Sequence, residues 1–174
     1  AIQANVLFSM KPGKTRELIK SQQLLYVYHN QIDATGDKQP TEPDTFRACE
    51  DAIKDLVRLV KKLANANVNN ILITADHGFL YQDSRLQKQD YLSVKPHGDA
   101  LLQVNHRFVL GRGLNREAAF ITFSPHQLRM SGDIEAQVPG SIHRIRATGS
   151  GTRFVHGGAS LQEVVVPVIA VNKR

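Results

Sequence analysis

Apolar side chains return at steps of three and four between Phe46 and Leu63: Phe46, Cys49, Ile53, Leu56, Val57, Val60 and Leu63. That period belongs to an α-helix with one face on a core, and it predicts a helix over about 46–66. Asp44 or Thr45 is placed to cap its start. Lys54, Arg58, Lys61 and Lys62 fall off the stripe and are expected in water, while Cys49 reads as a small core residue. On either side the pattern changes. Leu24-Leu25-Tyr26-Val27-Tyr28 is aromatic and β-branched and reads as a strand. Ile71-Leu72-Ile73-Thr74-Ala75 is a short apolar run that reads as a buried strand. Strand, long helix and strand make a βαβ unit, so the two strands are expected side by side and parallel. The expected fold class is α/β, a mostly parallel sheet flanked by helices.

Elsewhere the period is weaker. Lys11-Pro12-Gly13-Lys14 breaks the chain, and Thr15 could cap a short helix to Lys20. Residues 34–45 read as loop. Arg107 to Leu110 and Ala118 to Phe123 read as strands, and His143 to Arg146 suits an edge strand. Gly132, Pro139-Gly140 and Gly149-Ser150-Gly151 mark loops around it. Ser160 and Glu163 have capping-box spacing, so a short helix is expected to start there. Val164 to Val171 reads as a closing strand, with Pro167 at its start or edge.

Chemistry gathers at the ends of these strands. Asp76-His77-Gly78 follows the 71–75 run, and ligands of open α/β sheets sit beyond the carboxyl ends of strands. A carboxylate beside an imidazole suits zinc or another transition metal. The same residues equally fit an Asp that caps a turn and a His bonded to it. His29 ends the 24–28 run, and Asp33 follows at the spacing that shares a helix face. His156 precedes Gly157-Gly158, which lets backbone pass close to something bulky. His97, His106 and His126 read as exposed or core histidines.

Charge sharpens the picture in one half. Of the net charge of +6, residues 106–174 carry +5 (nine Lys/Arg against four Asp/Glu), and eight of those nine bases are arginine. Arginine suits bidentate phosphate contact, which makes Arg144, Arg146 and Arg153 candidates for phosphate or nucleic acid. A solvated basic face reads the same charge equally simply. No helix-turn-helix, zinc-finger or basic-zipper pattern marks a sequence-specific DNA reader. The 174 residues suffice for one domain with a core. No apolar run approaches the ~20 residues of a membrane span, and no signal peptide is visible. The single cysteine excludes an internal disulfide and points to a reducing compartment, the cytoplasm. The start at Ala1, without Met, reads as a piece of something longer.

Three stretches stand together: Tyr28-His29-Asn30-Gln31-Ile32-Asp33, Thr74-Ala75-Asp76-His77-Gly78-Phe79, and Phe154-Val155-His156-Gly157-Gly158. Their order and spacing resemble the alkaline-phosphatase superfamily. The longer runs Val27 to Asp37 and His156 to Glu163 resemble, more closely, the PglZ family of bacterial phage-defence systems of the phage-growth-limitation and BREX kinds. The resemblance covers about residues 15–171. It implies an alkaline-phosphatase-like domain of which residues 1–174 are the C-terminal part. It also implies a phosphohydrolase or phosphodiesterase that uses divalent metal, zinc first and manganese second.

The implied ligands are His29, Asp33, Asp76, His77 and His156, with Asp37 as the second choice for the role of Asp33, and the five are expected to converge. The superfamily places Asp before His in its first pair; here His29 comes first. The Ser or Thr nucleophile and an early Asp ligand are expected upstream, since Ser9, Thr15 and Ser21 have no ligand-like neighbour. Activity is expected of a full-length protein and not of these residues alone. The alternative is a non-catalytic scaffold that docks other defence proteins, such as a methyltransferase or an ATPase.

Overall fold

A computed structural model describes residues 1–148 and 151–173; Gly149 and Ser150 of the expected loop lie outside them. In chain order the elements are β1 (Ile2–Gln3), α1 (Ala4–Ser9), α2 (Pro12–Lys20), β2 (Val27–Tyr28), α3 (Gln31–Gly36), a 3-10 turn (Glu42–Asp44), α4 (Thr45–Asn65), β3 (Asn70–Thr74) and β4 (Leu80–Tyr81). There follow a second 3-10 turn (Lys88–Asp90), β5 (Gly98–Val104), β6 (Val109–Leu114), β7 (Phe120–Phe123), β8 (Glu135–Pro139), β9 (Phe154–Val155), α5 (Leu161–Val164) and β10 (Val168–Asn172). They form two compact units. One holds Ala1–Gly36, Pro43–Thr74 and the chain from Pro167 on; the other holds Asp37–Glu42 and Ala75–Val166.

In the first unit α2 begins at Pro12, where the missing N–H would have no helical partner anyway. The long helix forms where its period predicts, and Asn67 leaves it with φ +69°, a left-handed conformation that Asn tolerates. Leu59 and Leu63 of α4 bury with Ala4 and Leu7 of α1, and Ile2, Val27 and Ile71 pack around them. The fully buried stripe shares only Leu63 with the expected one and otherwise lies one position before it. Thr45, Ala48, Ala52, Leu59 and Leu63 are inside, while Phe46, Ile53 and Val57 are exposed. One residue turns a helix by about 100°. Helix α3, with Gly36 buried, packs on α4. Cys49 is half-buried, and burial pushes its thiol pKa up, away from the reactive thiolate.

The expected parallel sheet is corrected here. Strand β2 pairs in parallel with β1, Ile2 opposite Val27, and β3 pairs antiparallel with β10, from Thr74 opposite Val168 to Asn70 opposite Asn172. The runs 24–28 and 71–75 therefore belong to different two-stranded sheets. The βαβ argument assumed that the strands flanking α4 take each other as partners; β1 and β10 take those edges instead. Nor is β3 fully buried. Ile71 and Ile73 are half-buried, and Leu72 between them is 64% exposed, so the run has a single covered face.

The second unit is antiparallel throughout its main sheet, of order β5-β6-β8-β7. A parallel pair needs a crossover of a dozen or more residues, usually helical. From Leu80 to Pro139 the described residues contain no α-helix to make such a crossover; β6 folds back on β5, and β8 returns antiparallel between β6 and β7. Val109, Leu114, Phe120 and Ile145 form its core. The segment 143–146 contributes only a bridge from Arg144 to Tyr91. As expected, α5 starts after Ser160, and β10 starts after Pro167. Among the described residues no helix is long and apolar enough to cross a membrane.

Candidate metal centre

The second unit brings two of the expected histidines into contact through a minimal strand pair. Strand β4 lies antiparallel to β9, Leu80 opposite Val155 and Tyr81 opposite Phe154. His77 lies just before β4 and His156 just after β9, so the register puts both turns at one end of the ladder. Their rings stack, centroids 4.2 Å apart and planes within 9°. Buried Phe154 lies edge-on to His156 at 5.9 Å and 4.7 Å from the Phe79 ring.

Carboxylates flank the pair. His156 Nε2 is 3.5 Å from Asp37 Oδ1. His77 Nε2 is 3.9 Å from Asp76 Oδ2, and the His77 backbone N–H donates to Asp76 Oδ1 at 3.1 Å. His77 Nδ1 lies 3.0 Å from the Gly78 carbonyl, an arrangement that puts the ring proton on Nδ1 and the lone pair on Nε2. A metal-binding histidine usually donates its second ring N–H in this way. The donor set of imidazole nitrogen and carboxylate oxygen fits zinc, and also manganese. Asp76 thus does both things its sequence allowed: it caps the turn and stands beside His77.

A cavity of about 80 Å³ opens beside His156, lined also by Asp37, Asn105, His106 and Phe154. His106 is buried, with Nδ1 3.0 Å from the Ile145 carbonyl. Glu42, also buried, accepts from the backbone N–H of Arg153 (2.6 Å) and of Phe154 (2.8 Å), which ties the Asp37–Glu42 segment to the strand before His156. His106 is a core histidine, one of the two readings its sequence left open, whereas the place of Asp37 as neighbour of His156 and the role of Glu42 were not foreseen. A lone His or a loop Glu has no local pattern to mark it; Asp37 had the signal of lying four residues after Asp33.

The first expected pair lies in the other unit. His29 precedes α3 and does not join its helical face; its Nε2 is 3.5 Å from Asp55 Oδ2, and Asp55 Oδ1 accepts from Arg58 at 2.8 Å. Asp33 lies in the first turn of α3, half-buried.

The three arginines divide. Arg144 is buried and donates to the carbonyls of Ile142, Thr152 and Arg153; burial, then the charge of Arg107, lowers its pKa. Arg153 donates to Asp83 Oδ1 at 3.0 Å and to the Gln82 carbonyl at 3.1 Å. Arg146 is exposed and lies over the Tyr91 ring at 4.7 Å, beside Lys88. Of the three, only Arg146 is exposed.

Residues 1–171 match the family model of the BREX system PglZ alkaline phosphatase-like domain. The chain is 37% identical over 173 residues to the alkaline phosphatase-like protein BrxZ of Escherichia coli O9:H4 (strain HS), covering 98% of this chain and 20% of that protein. It is 37% identical over 176 residues to the alkaline phosphatase-like protein PglZ of Bacillus cereus (strain H3081.97), covering 97% of this chain and 20% of that protein. It thus spans about a fifth of the length of these relatives. No solved structure matches it. With the His77 and His156 motifs brought together in one unit and the family model matching from end to end, the chain belongs to the PglZ family of alkaline phosphatase-like domains of BREX phage-defence systems.

Proposed function

We propose that this chain is the metal-holding part of a phosphohydrolase or phosphodiesterase that acts in phage defence. The observation that carries the reading is the stacked His77–His156 pair flanked by Asp37 and Asp76. His77 and His156 are the principal ligands, and Asp76 is the carboxylate beside them. His29 and Asp33 stay in the ligand set that the family resemblance implies. A divalent ion, zinc before manganese, would act as a Lewis acid that neutralises phosphate charge. Around it, the Gly78 carbonyl holds the His77 ring through Nδ1, and Phe154 packs edge-on against His156. Arg146, stacked on Tyr91, is proposed to draw in a phosphate or nucleic-acid backbone.

The nucleophile is proposed to come from the remainder of a full-length protein. Ser9, Thr15 and Ser21 each donate their hydroxyl to a helix carbonyl (Val6, Lys11 and Leu18), and none has a ligand-like neighbour. Hydrolysis through a covalent intermediate needs such a hydroxyl activated beside the metals. Titration with cobalt(II), read by its visible spectrum, tests the ligand set. The protein is expected to bind, and His77→Ala or His156→Ala to abolish the spectrum; unchanged binding in both variants would remove the proposal. With zinc and a chromogenic phosphodiester, the chain alone is expected to turn over little.

One observation favours the scaffold reading instead: His29 engages Asp55 in its own unit, as a structural ion pair would. In that reading the domain docks other defence components, a methyltransferase or an ATPase, and binds no metal.

A further inference from the structure

Both histidine turns are fastened to one buried residue. Glu163 is 2% exposed. Its Oε1 accepts from the Gly158 backbone N–H and from Arg107 Nε, both at 2.9 Å. Its Oε2 accepts from Arg107 Nη2 at 2.8 Å, Ser160 Oγ at 2.7 Å and the Ser160 backbone N–H at 3.2 Å. Its backbone carbonyl accepts from Gly78 N–H at 2.8 Å. The side chain thus holds the turn after His156, and the main chain holds the residue after His77. Arg107, itself fully buried, directs its other N–H groups to the carbonyls of His143 and Ser141.

The glycines of both turns are there because this clamp is close. A Cβ on Gly158 would stand 2.7 Å from both Arg107 Nη2 and Glu163 Oε2. One on Gly78 would run into the carbonyl oxygen of Gln162, the residue before Glu163. Gly157 has φ +96°, and a Cβ there would lie 2.8 Å from the Phe108 ring. Stability alone does not call for this construction. A buried ion pair loses hydration on both sides, and well-packed apolar side chains often serve as well or better. A bidentate guanidinium–carboxylate pair supplies fixed geometry.

We propose that Glu163, locked by Arg107, is a positioning residue that sets the spacing of His77 and His156 and through it their affinity for a metal ion. This rests on the metal reading of those two histidines. Outer hydrogen-bond partners of ligands commonly alter metal affinity by about 10–100-fold when replaced.

The test uses cobalt(II) as probe, with affinity from competition against a chelator, and NMR of the His77 and His156 ring protons without metal. Glu163→Gln keeps the shape and loses the charge; Ser160→Ala removes one hydrogen bond and leaves the ion pair. Glu163→Gln is expected to weaken cobalt binding by at least about tenfold, Ser160→Ala by less, and both to shift the ring resonances. A folded Glu163→Gln with wild-type affinity overturns the proposal. Should Glu163→Gln not fold, Ser160→Ala is judged by the same criterion. If the wild type takes up no cobalt, the metal reading fails. The rings then decide the positioning role: shifted resonances uphold it, and unmoved ones end it.

Discussion

The two units place histidine by different means. In the second, His156 and His77 sit on turns that a two-strand ladder registers and Glu163 fastens, with glycines cut to fit. In the first, His29 stands between a two-residue strand and a short helix, and its partner Asp55 is shared with an exposed arginine. A centre that must hold its ligands before substrate arrives needs the first kind of support. The second kind leaves an imidazole that can exchange one carboxylate for another. The comparison predicts where substitutions will hurt.

The largest effect is expected at the clamp. Arg107→Met removes the partner of a carboxylate that stays buried, and the loss should be about 3–5 kcal/mol, read by urea unfolding. A loss below about 1 kcal/mol, the range of surface pairs, would mean that the pair is not buried as described. Next is Leu59→Ala on the buried stripe of α4, with an expected loss of about 2–4 kcal/mol. That would show the first unit to be well packed where its histidine is not.

Acid should act on the clamp specifically. Burial pushes the Glu163 carboxyl up, but hydrogen bonds from Arg107 and Ser160, the charge of Arg107 and the Gly158 N–H outweigh it and hold it below the usual range. Its folded pKa is thus lower than its unfolded one, and the unfolded chain binds more protons as pH falls. The stabilisation is fully present above the ordinary glutamate value of about 4.3, and is lost as pH falls through the lower folded value. The stability gap between wild type and Glu163→Gln should therefore narrow between about pH 5 and pH 3. A gap that does not change over that range would contradict the assignment.

His29→Ala ranks lower. A partly exposed pair of this sort contributes about 0–1 kcal/mol, and the variant should lose less cobalt affinity than His156→Ala. Equal losses at His29 and His156 would erase the contrast between the units and make His29 a full ligand.

These contrasts explain how far the chain could be read unaided. The α4 period and the Ser160–Glu163 spacing are local signals, and the helices they announce are present. Of the main sheet, β6 and β7 were read in part, from Arg107–Leu110 and Ala118–Phe123, while β5 and β8 were not. β5 has a register shift between Leu101 and Gln103 that breaks its alternation, β6 contains Gly111 and Gly113, and β8 buries the polar Gln137. Gln137 is held by donating to the Asn115 carbonyl and Thr122 Oγ1, partners 22 and 15 positions away. The same distance hid the clamp: Arg107 and Glu163 are 56 positions apart, and nothing near Arg107 marks it as buried. Strand partners failed for a related reason. A strand's own residues say which face is apolar, but not which neighbour supplies the hydrogen bonds.

The smallest effect is expected on the other face of α4. Ile53 is 63% exposed and belongs, with Phe46 and Val57, to the stripe that the period alone assigned to a core. The helix instead buries Ala48 and Ala52 one position away. Little apolar surface leaves water when Ile53 folds into place, so little can be lost by truncating it. Ile53→Ala should change stability by no more than about 0.5 kcal/mol, and the better helix propensity of alanine offsets part of that. Ala52→Ile, the reciprocal change, inserts methyl groups at a position only 3% exposed and should cost about 1–3 kcal/mol. The pair of variants measures the rotation of α4 directly. If Ile53→Ala proves the costlier of the two, the helix turns its larger side chains inward, and the burial of Ala48 and Ala52 does not hold.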